Sequence, residues 1–306
     1  MLPISLDIEP SFFKKEVKCD FLVTEKTKKI WAIELDLLNE LLRVCKKNDI
    51  KVYAFAGTLL GAVRHKGFIP WDDDVDVCLL REDFEKLIRI ASQEFSSPYF
   101  FQTDLSDRKF FCGYARLRNS ETTGMIVWNR SIEYNNGIYI DVFVMDGYTK
   151  NKLKLNVQLK QMHLMQKMIE LYYKDLKDTS HIKRMVYKPL QGILHLVLSY
   201  ESLIKIYNKI IVRYNDTSDS VSLLTHGMQF ITKYWCKQND LRETVCMPFE
   251  CIEIPVPKNY DKIMKNMYGD YMKFPAVEDR GTWHDNIIIF DPDVPYKQFL
   301  ENMDKK

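Results

Sequence analysis

Apolar residues at three- and four-residue steps mark the first long element of the chain. Ile30, Ile33, Leu37, Leu38, Leu41 and Val44 share one face of a helix expected from Thr24 to Asn48, with Asn48 and Asp49 ending it. Residues 1–23, with Pro3 and Pro10, read as an irregular lead. The continuous apolar run Val52 to Ala56 reads as a strand, and Leu59, Leu60, Ala62 and Val63 as a turn and a half of helix after it. Val75, Val77 and Leu79 then alternate with Asp74, Asp76 and Cys78, which is a strand period and puts Asp74 and Asp76 on one face. Phe84, Leu87, Ile88 and Ala91 predict a second helix over Arg81 to Glu94, and Pro98 to Gln102 and Phe110 to Leu117 read as strands. The longest strand signal is Gly137 to Gly147, GIYIDVFVMDG, where Ile138, Ile140, Val142 and Val144 alternate with Tyr139, Asp141, Phe143 and Met145. Asp146, near its end, reads as a turn residue.

Beyond residue 150 the pattern changes. Over residues 151–214 glycine is nearly absent and leucine, methionine and lysine dominate, which predicts helices broken around Asp178-Thr179-Ser180 and at Pro189. Helical or mixed structure resumes to Lys237, and a strand at Ile252 to Pro257 and a helix at Tyr260 to Met267 follow. The expected class is α+β: a mixed β-sheet core flanked by helices, with an added helical region. The division expected is a core over 1–150, a helical region over 151–244, and a segment over 245–306 that packs back on the core.

Composition narrows the function classes. The 306 residues, 46% hydrophobic with 11 Gly and 11 Pro, suit one large or two small globular domains. A net charge of +2, no basic arm and no RNA- or DNA-binding motif argue against a nucleic-acid partner. The first 30 residues lack an apolar signal core, and no run of 18 apolar residues predicts a membrane span. Seven cysteines without repeated spacing, among them Cys19, Cys45, Cys78 and Cys112 in apolar surroundings, read as reduced thiols. The location expected is therefore cytoplasmic, with a peripheral place at the inner face of the membrane as its extension. From residue 150 to 213, 13 Lys and Arg face 4 Asp and Glu. That excess is either a set of solvated helix faces or a surface that docks on anionic lipid headgroups.

The candidate chemistry concentrates in Gly57 to Leu80, GTLLGAVRHKGFIPWDDDVDVCLL. Asp72, Asp73, Asp74 and Asp76 fall within five positions, between apolar neighbours. Carboxylates side by side on one face repel unless a cation sits between them. Hard oxygen donors suit Mg²⁺ or Mn²⁺ rather than zinc. Gly57 and Thr58, at a strand-to-helix turn, can offer backbone N–H groups and a hydroxyl to a phosphate. Arg64, His65 and Lys66 add positive charge just before the acids, an arrangement suited to phosphoryl transfer. Asp141 is a lone carboxylate in an apolar strand, and such a group costs several kcal/mol unless paired or bound to metal. Tyr114, Arg116 and Arg118 share a strand face that either holds a donor diphosphate or is solvated. His226, Cys236, Cys246 and Cys251 fit no standard zinc spacing.

GTLLGAVRHKGFIPWDDDVDV closely resembles the LicD family, which includes the fukutin-related transferases. The resemblance extends to the Asp141 strand. It takes in Pro248-Phe249-Glu250, Ile252 to Pro257 and Tyr268-Gly269-Asp270-Tyr271-Met272, with Pro275, Arg280 and His284 after them. It implies a nucleotidyltransferase-type fold in which Asp74, Asp76 and Asp141 hold one or two divalent ions, with Asp72 as a further ligand and Asp73 as a structural cap. Asp141 would also take the acceptor proton. Gly57 and Thr58 would cradle a phosphate, Arg64 and Lys66 would add charge, and His284 would position the acceptor or a phosphate oxygen.

The reaction implied is transfer of a phosphorylated alcohol from a CDP-linked donor, with CMP released. Phosphocholine from CDP-choline comes first, and glycerol or ribitol phosphate are the variants. The acceptor implied is a hydroxyl of a cell-surface glycan (lipopolysaccharide, teichoic acid or capsule) or its lipid-linked precursor. A choline donor needs an aromatic cage, for which Trp71, Trp128, Trp235, Trp283 and Tyr271 are available. The same acids would serve a nucleotidyltransferase that attacks an NTP and releases pyrophosphate. A non-catalytic glycan-binding module is the third reading, and three costly buried acids argue against it.

Overall fold

The computed structural model describes residues 2–127, 134–177, 179–281 and 287–304. The lead expected to be irregular holds a hairpin of β1 (Glu16–Lys18) and β2 (Phe21–Val23). Cys19 and Asp20 make its two-residue turn at φ +54° and +57°, the left-handed pair that matches strand twist. Three-residue strands are too short to show a period. Helix α1 (Glu25–Lys47) follows the expected bounds, with the Thr24 hydroxyl accepting from the Thr27 amide at 3.1 Å and Asn48 at its end. Its 23 residues span about 34 Å and lie across the sheet with Trp31, Ile33, Leu37 and Leu41 fully buried.

Among the described residues the main sheet has seven strands and mixed direction, an α+β arrangement as expected. β3 (Tyr53–Ala54) leads into α2 (Ala56–Arg64), then come β4 (Asp76–Leu80), α3 (Arg81–Glu94), β5 (Tyr99–Gln102), β6 (Ala115–Asn119), β7 (Thr123–Ile126) and β8 (Ile138–Gly147). β8 is the axis. β4 lies parallel on one edge of it, and β3 runs antiparallel beyond β4. Along the other edge β6 runs antiparallel beside its first half, with β5 beyond. Its last two residues pair with β9 (Ser220–Ser222), and β10 (Trp235–Lys237) continues that edge.

Three strand expectations shift. The 52–56 strand shortens to two residues because the turn into α2 is so tight that Ala56 sits at φ +42°. β4 starts at Asp76, so Asp74 precedes the ladder. β6 starts five residues later than expected, after Gly113 at φ +73°, where a Cβ would meet the Thr225 methyl at 2.8 Å and the Tyr207 hydroxyl at 2.9 Å. Only glycine fits that bend.

Helices α4 (Lys152–Tyr173), α5 (His181–Val197) and α6 (Tyr200–Ile211) pack around a second apolar cluster of Met162, Met165, Ile169, Leu203 and Tyr207. Pro189 lies inside α5 and does not break it. Its missing N–H frees the carbonyl of Met185, an exposed residue on which water can take that bond. After α7 (Met228–Lys233), hairpin β11 (Thr244–Phe249) and β12 (Ile252–Pro257) packs against β3 and α2. Helix α8 (Tyr260–Tyr268) follows, β13 (Ile288–Asp291) pairs with β7, and α9 (Tyr296–Asp304) comes after it.

Asp146 is not a turn residue. It lies inside β8, fully buried, with both carboxylate oxygens on the Arg81 guanidinium and one also on the Asn215 amide. Removing one partner of such a pair strands the other charge. Asp146→Ala is therefore expected to destabilise the protein by about 3–5 kcal/mol in urea unfolding. An unchanged midpoint would show that the pair contributes nothing.

Candidate active site

The parallel register of β4 and β8 places Asp76 directly opposite Asp141, and the antiparallel register of β6 places Arg116 opposite Asp141 on the other side. Cross-strand partners point to the same face at about 4.8 Å strand spacing, so Asp76, Asp141 and Arg116 form one row across three strands. The Arg116 Nε donates to Asp141 Oδ1 at 2.7 Å, and the guanidinium lies 3.8 Å over the Tyr139 ring. Its Nη1 is buried with no hydrogen-bond partner. Arg118 reaches Gln102 and the Gly137 carbonyl instead and is a satisfied core residue.

Asp72 and Asp74 enter from the segment before β4. The carboxyls of these two residues hydrogen-bond to each other, and the Asp73 amide donates to Asp72. Asp73 itself is buried. Burial first, and then the charge of Asp74, push Asp72 well above the ordinary carboxyl range. Asp76 is pushed the same way by burial, then by Asp74, Asp141 and Asp72, with Arg116 opposing.

The turn into α2 is fitted to this cluster. A Cβ on Gly57 would lie 2.5 Å from Asp72 Oδ2, so glycine is what lets the carboxylate approach the first turn of the helix. The Thr58 hydroxyl accepts from the Asp76 amide at 2.8 Å, which leaves its proton free to donate. Arg64 and Lys66 are not brought to the row. Arg64 is the last residue of α2 and Lys66 lies two residues beyond it, about 10 Å or more from Gly57 along the helix axis. Arg64 donates to the carbonyls of Tyr271 and Lys273 and lies 4.9 Å over Phe274, and Lys66 is exposed. His284, Trp128 and Trp283 lie outside the described residues.

The sequence reading missed Glu34. It sits on α1, 1% exposed, with Oε2 lacking any partner. Burial, then Asp74, Asp73, Asp72 and Asp76 in that order, raise its carboxyl well above the usual range. One turn earlier, Trp31 donates its indole N–H to the Asp72 carbonyl at 3.1 Å and stacks on Phe68 at 4.5 Å. Helix α1 thus both pins the acidic segment and adds a carboxyl to it. Glu34 occupies a helical position between apolar neighbours, and nothing in its spacing marks it. His226, weighed in the sequence only as a zinc ligand, packs its ring on Tyr114 and Phe143, and burial lowers its pKa against the opposing field of Asp141.

The cage candidates divide. Trp71 packs with His65 and Phe274, and the Arg280 guanidinium already lies 4.9 Å over its ring. Tyr271 is buried with its hydroxyl on Asp261, and Trp235 lies on β10.

Asp72, Asp74, Asp76 and Asp141 supply only hard oxygen donors, and their mutual repulsion is what a divalent cation would relieve. The donor set fits Mg²⁺ or Mn²⁺ in chemistry. Among the described residues no group of three or more His, Cys, Asp or Glu side chains is already placed to hold a metal ion.

Residues 49–191 match the family model described as LicD/FKTN/FKRP, nucleotidyltransferase domain. The chain is similar to the lipopolysaccharide cholinephosphotransferase LicD of Haemophilus influenzae, 24% identical over 257 residues, which cover 82% of this chain and 92% of that protein. It is 33% identical over 116 residues to an uncharacterized protein of Rickettsia prowazekii, covering 38% of this chain and 40% of the relative. A shorter stretch of 47 residues is 49% identical to an uncharacterized protein of Rickettsia typhi, 15% of each chain.

Carboxyls raised in the fold stabilise it fully below their ordinary values, 4.5 for Glu34 and 3.8 for Asp72 and Asp76. That contribution is lost as pH rises through the raised values. In EDTA the melting temperature is therefore expected to fall from pH 5 to pH 8. Glu34→Gln should raise it at pH 8, by about 2–4 °C per kcal/mol recovered, and flatten the slope. A thermal scan in which Glu34→Gln melts lower at pH 8 contradicts the account.

Proposed function

We propose that this chain, a transferase that carries a nucleotidyltransferase domain of the LicD family, moves phosphocholine from CDP-choline to a hydroxyl of a lipopolysaccharide-type glycan. CMP is the leaving product. The observation that carries the reading is the row of Asp76, Asp141 and Arg116 beside Asp72 and the first turn of α2. Similarity to a lipopolysaccharide cholinephosphotransferase over 92% of that protein's length supports the choice of phosphocholine and of the acceptor.

Asp72, Asp74, Asp76 and Asp141 would hold Mg²⁺ or Mn²⁺, which when bound neutralises charge on the diphosphate and on the departing CMP. The first turn of α2, at Gly57 and Thr58, offers backbone N–H groups and a hydroxyl proton to a phosphate. Arg116 keeps a buried N–H without a partner next to Asp141, a donor suited to a phosphate oxygen. Its ion pair also fixes the direction of the Asp141 carboxylate, which is the residue suited to take the acceptor proton. The acceptor oxygen forms a bond to the phosphorus that bears choline. The bond from that phosphorus to the CMP oxygen breaks, and CMP leaves with the electron pair.

The test is CMP release from CDP-choline with a lipopolysaccharide acceptor, run with Mg²⁺ and with EDTA. Asp76→Asn and Asp141→Asn are each expected to lower kcat by about 100- to 1000-fold, and EDTA to abolish turnover. CDP-glycerol and CDP-ribitol in parallel read donor choice. Pyrophosphate release from CTP without CMP release from any CDP-alcohol would replace this reading with nucleotidyl transfer.

A further inference from the structure

Helix α5 is built the wrong way round for a soluble surface. Ile182, Met185, Val186, Leu190, Ile193 and Leu196 are each between 48% and 88% exposed. At 100° per residue they occupy one arc about 140° wide. The opposite side attaches the helix to the body. Leu194 is buried there, and the Gln191 amide donates to the carbonyls of Leu171 and Lys174 at 2.8 and 3.1 Å. Arg184 Nε donates to the Leu176 carbonyl at 2.9 Å, and His195 Nε2 meets the Tyr172 carbonyl at 2.9 Å. Gln191, Arg184 and His195 thus face the protein with Leu194, and the apolar arc faces outward. A contiguous apolar face of this kind marks an interaction surface.

Charge selects the occupant. Lys183 is exposed at one edge of the apolar arc, Lys188 is exposed about 60° beyond the other edge, Arg184 lies further round, and α5 contains no Asp or Glu. A second copy of the chain laid on this face would bring the same cations together without an acidic partner. Anionic headgroups supply the missing charge. The helix has 17 residues, about 25 Å at 1.5 Å per residue, and a bilayer core is about 30 Å thick. Among the described residues no helix is long and apolar enough to cross a membrane.

We propose that α5 is an interfacial helix that docks the chain on an anionic bilayer. Ile182, Ile193 and Leu196 sink among the acyl chains, and Lys183 and Lys188 lie at headgroup phosphates. The inference rests on the helix alone and does not depend on the transfer chemistry proposed above.

The experiment is co-sedimentation of the full chain with vesicles of phosphatidylcholine alone and of phosphatidylcholine mixed with phosphatidylglycerol. Sedimentation velocity without lipid runs alongside. Wild type is expected to bind the anionic vesicles, more weakly as salt rises. Lys183→Glu/Lys188→Glu and Ile193→Ser/Leu196→Ser should each weaken binding by about 10-fold or more, with melting temperature and activity on a water-soluble acceptor unchanged. Failure of wild type to bind, or equal binding by wild type and both variants, overturns the proposal. So does a wild-type dimer that Ile193→Ser/Leu196→Ser dissolves while no vesicle is bound, which would make α5 a contact between copies.

Discussion

Carboxylates held within one strand spacing of each other set the terms for the rest of this fold. The parallel pairing of β4 with β8 fixes Asp76 against Asp141, and the segment before β4 adds Asp72 and Asp74. Hydrogen bonding along a sheet cannot relax by sliding, because a one-residue slip would turn the apolar face of both strands outward. The repulsion is therefore locked in by the hydrophobic effect. Arg116, fixed across β6, answers part of it through Asp141.

Much of the surrounding structure serves to hold the acids where they do not wish to be. Helix α1 anchors the Asp72 carbonyl through Trp31, whose ring stacks on Phe68 beneath the same segment. The α2 turn closes over Asp72 because Gly57 has no side chain and because Ala56 accepts a left-handed φ. Such strain costs roughly 1–3 kcal/mol and persists only where packing over-determines it. The C-terminal segment clamps the other end of α2, through Arg64 on the carbonyls of Tyr271 and Lys273 and Phe274 against His65. Arg64 acts here in holding the scaffold together, at the opposite end of the helix from the acids.

The helical region follows a different logic. Its own apolar cluster secures α4 and α6, and α5 rides on the end of α4 through Leu194 and through polar contacts to carbonyls of α4's last turn and of the residues after it. A helix attached in this way can keep its apolar arc free. The carboxylate row and the outward face of α5 then answer two separate constraints, one electrostatic and buried, the other apolar and exposed.

What the sequence determined by itself was local. Helical periodicity gave α1 and α3 to within a residue, and strict alternation gave β8 with Asp141 in its apolar middle. The acidic run after a Gly-Thr turn marked out Asp72, Asp74 and Asp76 as candidates. Tertiary structure alone decided the rest, because register and sidedness depend on residues far apart in the chain. Only the β4–β8 and β6–β8 pairings join Asp76, Asp141 and Arg116, which are separated by up to 65 positions. Only packing reveals that Glu34 is buried toward the acids, that Asp146 belongs to Arg81, and that the apolar side of α5 faces away from the core. A periodic pattern reports that a face is apolar, and it carries no information about what that face meets.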